Sequence, residues 1–173
     1  ITADILGGSG AMPALQYGVT EGAMPFREQL RDFLADAGVK TQSTDELFVV
    51  SGGQQGIDLM CKVFLDKGDY VLVENPTYLA FLQIASSYEA KAVGVDSDEN
   101  GLKLDDLEAK IKKYRPKFLY VVPTFSNPTG KTYSTENRKG IAALAEKYDI
   151  MVLEDDPYSR IRYSGEPLPP IKS

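Results

Sequence analysis

Four short polar stretches contain the side chains of this chain that could do chemistry, and each one follows a short apolar run. They are residues 51–54 (SGGQ), 75–78 (NPTY), 127–130 (NPTG) and 154–158 (EDDPY). An apolar run that stops at such a stretch is typical of a buried strand leading into a loop. If the four strands are parallel, their loops meet at one edge of a sheet, where open α/β folds bind ligands.

The first two stretches suit a phosphate and a flat ring. Gly52 and Gly53 allow the backbone to approach a ligand closely, and the free N–H groups of the helix that follows favour an anion. The alternative for this stretch is an ordinary strand-to-helix turn. Tyr78 follows a strand end and could stack on a flat ligand, whereas the alternative is a core tyrosine on an amphipathic helix.

The other two stretches suit a hydroxyl and a cation. Asn127 could donate a hydrogen bond to a phenolate-type oxygen, and its alternative is a simple turn residue. A carboxylate of residues 154–156 could hold a metal ion or a cationic ring nitrogen, and its alternative is a solvated acidic loop. A magnesium site for phosphate transfer would also need a lysine-bearing phosphate loop, which the sequence lacks. Together the four stretches describe one ligand with a phosphate, an aromatic ring, a ring hydroxyl and a protonatable ring nitrogen, and pyridoxal phosphate fits all four.

Strand and helix patterns alternate through the middle of the chain, which predicts β-α-β units. The fold class is therefore α/β, with a three-layer, mostly parallel sheet and helices on both faces. A helix is predicted from Pro25, another is predicted to open with a capping box of Asp105 and Glu108, and a third to be capped by Ser134. Residues 1–24 are predicted to be irregular. Strands are predicted at residues 47–50, 70–73, 91–95, 118–122 and 150–153.

Composition limits the chemistry further. The chain has 173 residues, a net charge of −6, one cysteine (Cys61) and no histidine. Histidine-dependent nucleophilic sites and histidine zinc sites are therefore excluded within this chain. The spacing of apolar residues places Cys61 on the packing face of a helix. The acidic balance argues against nucleic acid and membrane partners, and the lack of a spanning segment or leader predicts a cytoplasmic protein.

The chain resembles the fold-type I, class I and II aminotransferases that use pyridoxal phosphate, nearest the 2-aminoadipate and kynurenine aminotransferase-like branch. The motifs YGxxxG, SGGQQ, ENPTY, SNPTG and EDDPY occur in order and carry the resemblance. It implies a homodimer that transfers an amino group between an amino acid and a 2-oxo acid. It also implies an irregular arm at residues 1–24 and part of the cofactor-binding large domain at residues 25–173.

The resemblance implies a role for each matching residue. Gly52, Gly53 and Gln54 match the segment that cradles the cofactor phosphate, and Tyr17 matches a tyrosine that reaches the phosphate of the partner subunit. The remaining matches surround the ring. Tyr78 matches the stacking aromatic, Asn127 and Tyr158 the partners of the 3-oxygen, and Asp155 the carboxylate that faces the ring nitrogen.

The resemblance also implies parts that this sequence does not match. The lysine that forms the Schiff base has no counterpart, because neither Lys131 nor Lys172 lies in the expected motif. We therefore predict that the chain alone does not catalyse transamination and that it is part of a longer enzyme. The alternatives are a naturally truncated protein that binds a partner, the aminotransferase-like sensing domain of a GntR-type regulator, and another pyridoxal-phosphate enzyme such as a carbon–sulfur lyase or decarboxylase.

Overall fold

A computed structural model describes residues 1–39 and 41–173 of the chain. The contacts divide it into two compact units, Ile1–Val50 and Ser51–Ser173. This division falls later in the chain than the predicted boundary at residue 24. The assignment of residues 25–173 to one large domain stays a prediction.

The unit Ser51–Ser173 is built on a four-stranded parallel sheet. Its strands are β1 (Tyr70–Glu74), β2 (Lys91–Val95), β3 (Phe118–Val121) and β4 (Met151–Glu154), and they lie in the order β2-β1-β3-β4. The helices between and before them are α4 (Gly53–Phe64), α5 (Leu79–Ser87), α6 (Leu104–Tyr114) and α7 (Thr135–Tyr148). The predicted α/β class with a parallel sheet is confirmed, and the strand ends differ from the predicted ones by a residue at most.

Two hydrophobic clusters cover the two faces of this sheet because successive strand residues point to opposite sides. Val73 of β1 and Tyr120 of β3 pack with Ile57, Cys61 and other residues of α4 and α5. The intervening residues of the same strands pack on the other face with α6 and α7, among them Leu72, Leu119, Leu107 and Ile141. Strand β3 is central and buried at every position, which explains its uninterrupted apolar sequence.

One predicted helix cap is confirmed and another is wrong. The Ser134 side chain accepts a hydrogen bond from the N–H of Asn137 at 3.1 Å, as a capping residue of α7 should. Helix α6 instead begins at Leu104, with Lys103 at the capping position and no side-chain cap. The predicted box fails because Glu108 bonds to Lys147 and Tyr148 of α7 rather than to its own helix start.

The unit Ile1–Val50 differs more from the prediction. It contains α1 (Thr2–Gly7), α2 (Ala11–Leu15), α3 (Met24–Asp36) and a short 3₁₀ helix (Thr44–Glu46), so the irregular structure predicted for residues 1–24 is wrong. Pro13 fits in α2 because it lies in the first turn, where its missing N–H has no helical partner.

The strand predicted at residues 47–50 does not form in the described structure. The N–H of Val49 donates to the carbonyl of Glu21 at 3.0 Å, but no ladder of such bonds develops. A strand needs a neighbour along its length, and the apolar pattern of a segment cannot supply one.

Candidate functional site

An open cavity of about 210 Å³ lies where the carboxyl ends of β1, β3 and β4 meet the start of α4. Six of the predicted site residues line it, and four further residues complete the lining. The predicted ones are Gly53, Gln54, Tyr78, Asn127, Asp155 and Tyr158, and the further ones are Ile57, Tyr120, Val122 and Pro157. Stretches that are far apart in sequence are therefore brought to one edge of the sheet.

The other two predicted residues lie elsewhere. Gly52 directly precedes Gly53 and occupies the capping position of α4, but it does not line the cavity. Tyr17 lies in the unit Ile1–Val50, where its side chain is fully exposed. Its role at the phosphate of a partner subunit stays a prediction, as do the individual roles of the residues that line the cavity.

The start of α4 has the features of an anion-binding helix end. Gly52 has φ +88°, a conformation that residues with a side chain rarely adopt, and no side chain caps the helix. A Cβ atom added at Gly53 would have no protein atom within 4 Å, so the missing side chain leaves open space. Gly53 and Gln54 line the cavity, and the first N–H groups of a helix have no partner within the helix, so this helix start suits a phosphate.

Asp155 follows the last residue of β4 and is half-buried. Its N–H donates to the carbonyl of Val121 at 2.9 Å, which continues the pairing between β3 and β4 and fixes the backbone. Burial raises the pKa of its carboxyl above the usual value, a hydrogen bond from Tyr120 opposes this rise, and the charge of Asp156 adds to it. A carboxylate held in this environment is suited to a cationic group in the cavity, which would offset its desolvation.

Tyr120 is a site residue that the sequence reasoning missed. It lies within the apolar run of β3, and its hydroxyl donates to Oδ2 of Asp155 at 2.9 Å. The signal was present, because a tyrosine in a fully buried strand must find a partner for its hydroxyl. The identity of that partner, Asp155, could not be predicted without knowing that β3 and β4 are neighbours.

Glu74, the last residue of β1, was also missed. Its carboxylate accepts hydrogen bonds from the N–H of Val122 at 3.1 Å, from the hydroxyl of Ser126 at 3.0 Å and from the hydroxyl of Tyr133. Burial raises the pKa of Glu74, and these three bonds oppose the rise. The three donors lie at both ends and in the middle of residues 122–133, so Glu74 fastens the loop that carries Asn127.

Arg138 of α7 holds the same loop from another side. Its guanidinium donates to the carbonyl of Pro123 at 2.8 Å, to the hydroxyl of Thr124 at 2.9 Å and to the carbonyl of Tyr133 at 3.2 Å. Glu154 lies 3.8 Å away and balances its charge. Because the side chain of Arg138 is almost completely buried, these bonds form away from competing water.

The two aromatic residues at the cavity occupy the starts of short elements. Tyr78 precedes α5, and Tyr158 precedes the 3₁₀ helix Ser159–Ile161. Both side chains are half-buried, and both pack against the cluster formed by α4, α5 and the sheet. Each ring therefore has one part in the core and another part that lines the cavity, which combines the two interpretations considered for Tyr78.

The chemistry of this donor set fits pyridoxal phosphate. A helix start can take the phosphate, an aromatic residue can cover the ring, an amide and a phenol can bond its oxygen, and a carboxylate can face its nitrogen. Among the residues that the structure describes, no group of three or more His, Cys, Asp and Glu side chains is placed to hold a metal ion.

Cys61 lies in the core, as predicted, and not at the cavity. Its side chain is completely buried, and burial raises the pKa of its thiol to about 11. Within the described ranges 1–39 and 41–173, no helix has the length and apolar character needed to cross a membrane.

Comparisons with known proteins agree with this geometry. The family model "aminotransferase class I and II" matches residues 10–170. An aromatic-amino-acid aminotransferase of Thermococcus litoralis is 40% identical over 94% of this chain, and the match covers 40% of that protein.

Two solved structures are also similar. Kynurenine aminotransferase of Pyrococcus horikoshii in complex with PMP has a TM-score of 0.91 and 42% identity, over 99% of this chain and 43% of that one. LysN, the α-aminoadipate aminotransferase of Thermus thermophilus, complexed with N-(5'-phosphopyridoxyl)-L-leucine, has a TM-score of 0.88 and 36% identity, over 98% of this chain and 42% of that one. The chain thus spans less than half the length of the proteins that it matches.

Proposed function

Because this chain belongs to the class I and II aminotransferase family, we propose that it is the cofactor-binding part of a pyridoxal-phosphate-dependent aminotransferase. The complete protein transfers an amino group between an amino acid and a 2-oxo acid. One observation carries the proposal: Gly53, Gln54, Tyr78, Asn127, Asp155 and Tyr158 all line one cavity at the carboxyl edge of a parallel sheet.

When bound, pyridoxal phosphate supplies a protonated pyridine ring that accepts electrons from the substrate. The first turn of α4, with Gly52, Gly53 and Gln54, anchors the phosphate through backbone N–H groups and the helix dipole. Asp155 keeps a proton on the ring nitrogen, because an anion beside a base stabilises its protonated form.

The remaining residues orient the ring. Tyr78 covers its face, and Asn127 and Tyr158 donate hydrogen bonds to the 3-oxygen and stabilise its anionic form. Amide and phenol groups are suited to this because each presents a donor without bringing a competing charge. The segment that holds Asn127 is fastened by Glu74 and Arg138, so the amide is positioned before the ligand arrives.

The proposal includes a cytoplasmic homodimer in which Tyr17 reaches the phosphate of the partner subunit. The exposure of Tyr17 in its own chain is compatible with such a contact. The other pyridoxal-phosphate reactions and the regulator domain share this pocket chemistry. We favour amino transfer because the relatives described above are aminotransferases.

The proposal is tested by equilibrium dialysis of the chain against pyridoxamine 5'-phosphate. This form carries the same phosphate, hydroxyl and ring nitrogen but has no aldehyde, so it does not react with surface lysines. We expect saturable binding at one site and a loss of affinity of about 10- to 100-fold in Asp155→Ala, as for a lost bond to a charged group.

The control is Asp105→Ala, which removes an exposed carboxylate from the first turn of α6, away from the cavity. It should bind like the unchanged chain. Equal binding by the unchanged chain and Asp155→Ala would remove the basis of the proposal.

A further inference from the structure

We infer that Tyr120 is a positioning residue that holds the Asp155 carboxylate ready for the cationic ring nitrogen of the ligand. The inference rests on the proposed function and adds to it a residue that does not itself bind the ring. It starts from the hydrogen bond that the Tyr120 hydroxyl donates to Oδ2 of Asp155 at 2.9 Å.

Three features of the fold fix the position of the Tyr120 hydroxyl: strand pairing, ring stacking and burial. Its backbone lies in the central strand β3, paired with Val73 of β1 and Leu153 of β4. Its ring stacks on Phe81 of α5 with centroids 3.9 Å apart and an interplanar angle of 4°. The side chain is completely buried, so few other rotamers are open to it.

The hydrogen bond affects both the orientation and the charge of Asp155. It ties Oδ2 to β3, and among the described residues none donates a hydrogen bond to Oδ1, so Oδ1 remains as an acceptor. A donor to the ionised carboxylate also stabilises the anion against the desolvation that burial imposes. The carboxyl of Asp155 is thus held in one orientation before the ligand binds.

Tyr120 acts as a donor and keeps its own proton. Burial is the first cause of the increase in its pKa above the ordinary value, and the charges of Asp155 and Glu74 add to it, as does Tyr78. Asp156, next to Asp155 in the chain, is the other charged group that acts on the carboxyl. These neighbouring acids therefore disfavour loss of the phenolic proton, so Tyr120 stays the donor in its hydrogen bond with Asp155.

The chain offers a matched pair of variants. Tyr120→Phe removes the hydroxyl and keeps the ring that stacks on Phe81. Tyr88→Phe removes a hydroxyl that donates to Oδ1 of Asp58, also at 2.9 Å, at a place that does not line the cavity. Both changes delete one phenol–carboxylate bond of equal length, and only the bond of Tyr120 involves a residue of the site, so Tyr88→Phe is the control for losing such a bond elsewhere.

The first measurement needs no ligand. Carbon NMR of the side-chain carboxyl of Asp155 is followed as the pH is changed in the unchanged chain and in both variants. We expect the pKa of Asp155 to rise in Tyr120→Phe, because a bond to the anion is lost, and to stay constant in Tyr88→Phe. An unchanged pKa in Tyr120→Phe would overturn the inference.

The second measurement uses pyridoxamine 5'-phosphate labelled at its ring nitrogen. In Tyr120→Phe we expect an affinity lower by about three- to tenfold and a nitrogen NMR signal shifted towards the unprotonated ring, since Asp155 now competes better for the proton. A purely structural role would lower affinity without this spectral shift, and that result would also overturn the inference. If the unchanged chain does not bind the probe, the proposed function fails, while the carboxyl titration still decides the role of Tyr120.

Discussion

The Asp155 carboxyl is subject to opposing influences, and their balance sets what the cavity can bind. Burial favours the neutral acid, whereas the Tyr120 hydroxyl favours the anion. A cationic ring nitrogen would favour the anion of Asp155, as the Tyr120 hydroxyl does. The burial of the carboxylate would strengthen its attraction to this cation, because charges interact more strongly away from water. The residue is therefore suited to a ligand that brings a positive charge and poorly suited to one that brings a negative charge.

Cys61 provides a prediction at the residue scale. With its pKa raised to about 11 and its side chain buried, the thiol should stay protonated and inaccessible in the folded chain. At about pH 8 we expect a thiol-reactive reagent to label it on the order of 100-fold more slowly than free cysteine, whose pKa is about 8.5. The labelling rate is followed by absorbance, with the unfolded chain as the control.

Labelling of Cys61 at the rate of an unfolded thiol, under conditions where the sheet is intact, would contradict its assignment to the core. A rate that rises with denaturant would support labelling through transient opening of α4.

The sequence reasoning predicted some residues of the site and missed others for one physical reason. Asp155 and Asn127 follow strand ends, so their position at the ligand edge depends only on where the strands stop. Tyr120 and Glu74 lie within strands. Tyr120 meets Asp155 because β3 and β4 are neighbours, and Glu74 meets Tyr133 because the segment after β3 passes the end of β1. Local pattern does not contain that information.

At the scale of elements, the segment between β3 and α7 is a loop held from its buried side. Glu74 at the end of β1 and Arg138 in α7 together satisfy backbone and hydroxyl groups along residues 122–133. Asn127 lies on the exposed side of this loop. The buried polar network thus positions a surface amide, which connects core packing with ligand binding.

Changing Glu74 tests this arrangement. Glu74→Ala leaves three donors in the interior without their acceptor. We expect a loss of about 3 kcal/mol in the free energy of unfolding and a decrease of roughly 6–12 °C in Tm, measured by circular dichroism. The affinity for pyridoxamine 5'-phosphate should fall as well, because Asn127 loses its support.

Glu74→Gln is the comparison, since it keeps the shape and one acceptor oxygen and should be destabilised less than Glu74→Ala. Equal stability of Glu74→Ala and the unchanged chain would mean that the loop is held without this carboxylate.

Glu108 shows why a motif at the element scale can mislead. The spacing of Asp105 and Glu108 predicted a capping box, yet Glu108 bonds to Lys147 and Tyr148 and joins α6 to α7. These partners hold its pKa down to about 2. Lys147, a charged partner on a neighbouring helix, outcompetes a backbone N–H of α6 for the Glu108 carboxylate. The spacing of residues within one helix does not reveal such a partner.

At the scale of the whole molecule, every residue that lines the cavity belongs to the unit Ser51–Ser173. The alternation of strands and helices was sufficient to predict this unit, because parallel β-α-β units follow from the order of elements. In the unit Ile1–Val50, the helix predicted from Pro25 is confirmed by α3, whereas the rest of the unit was predicted poorly. Helices α1 and α2 are short and separated by glycines, and the apolar segment at residues 47–50 forms no strand in the described structure.

The central claim is that the polar edge of this sheet is a pyridoxal-phosphate site, and a crystal structure of the chain with pyridoxamine 5'-phosphate tests it most directly. We predict the phosphate at Gly52, Gly53 and Gln54, and the ring nitrogen within hydrogen-bond distance of Asp155. We also predict the ring oxygen near Asn127 and Tyr158. A ligand bound elsewhere, or bound here with its ring nitrogen away from Asp155, would contradict the account.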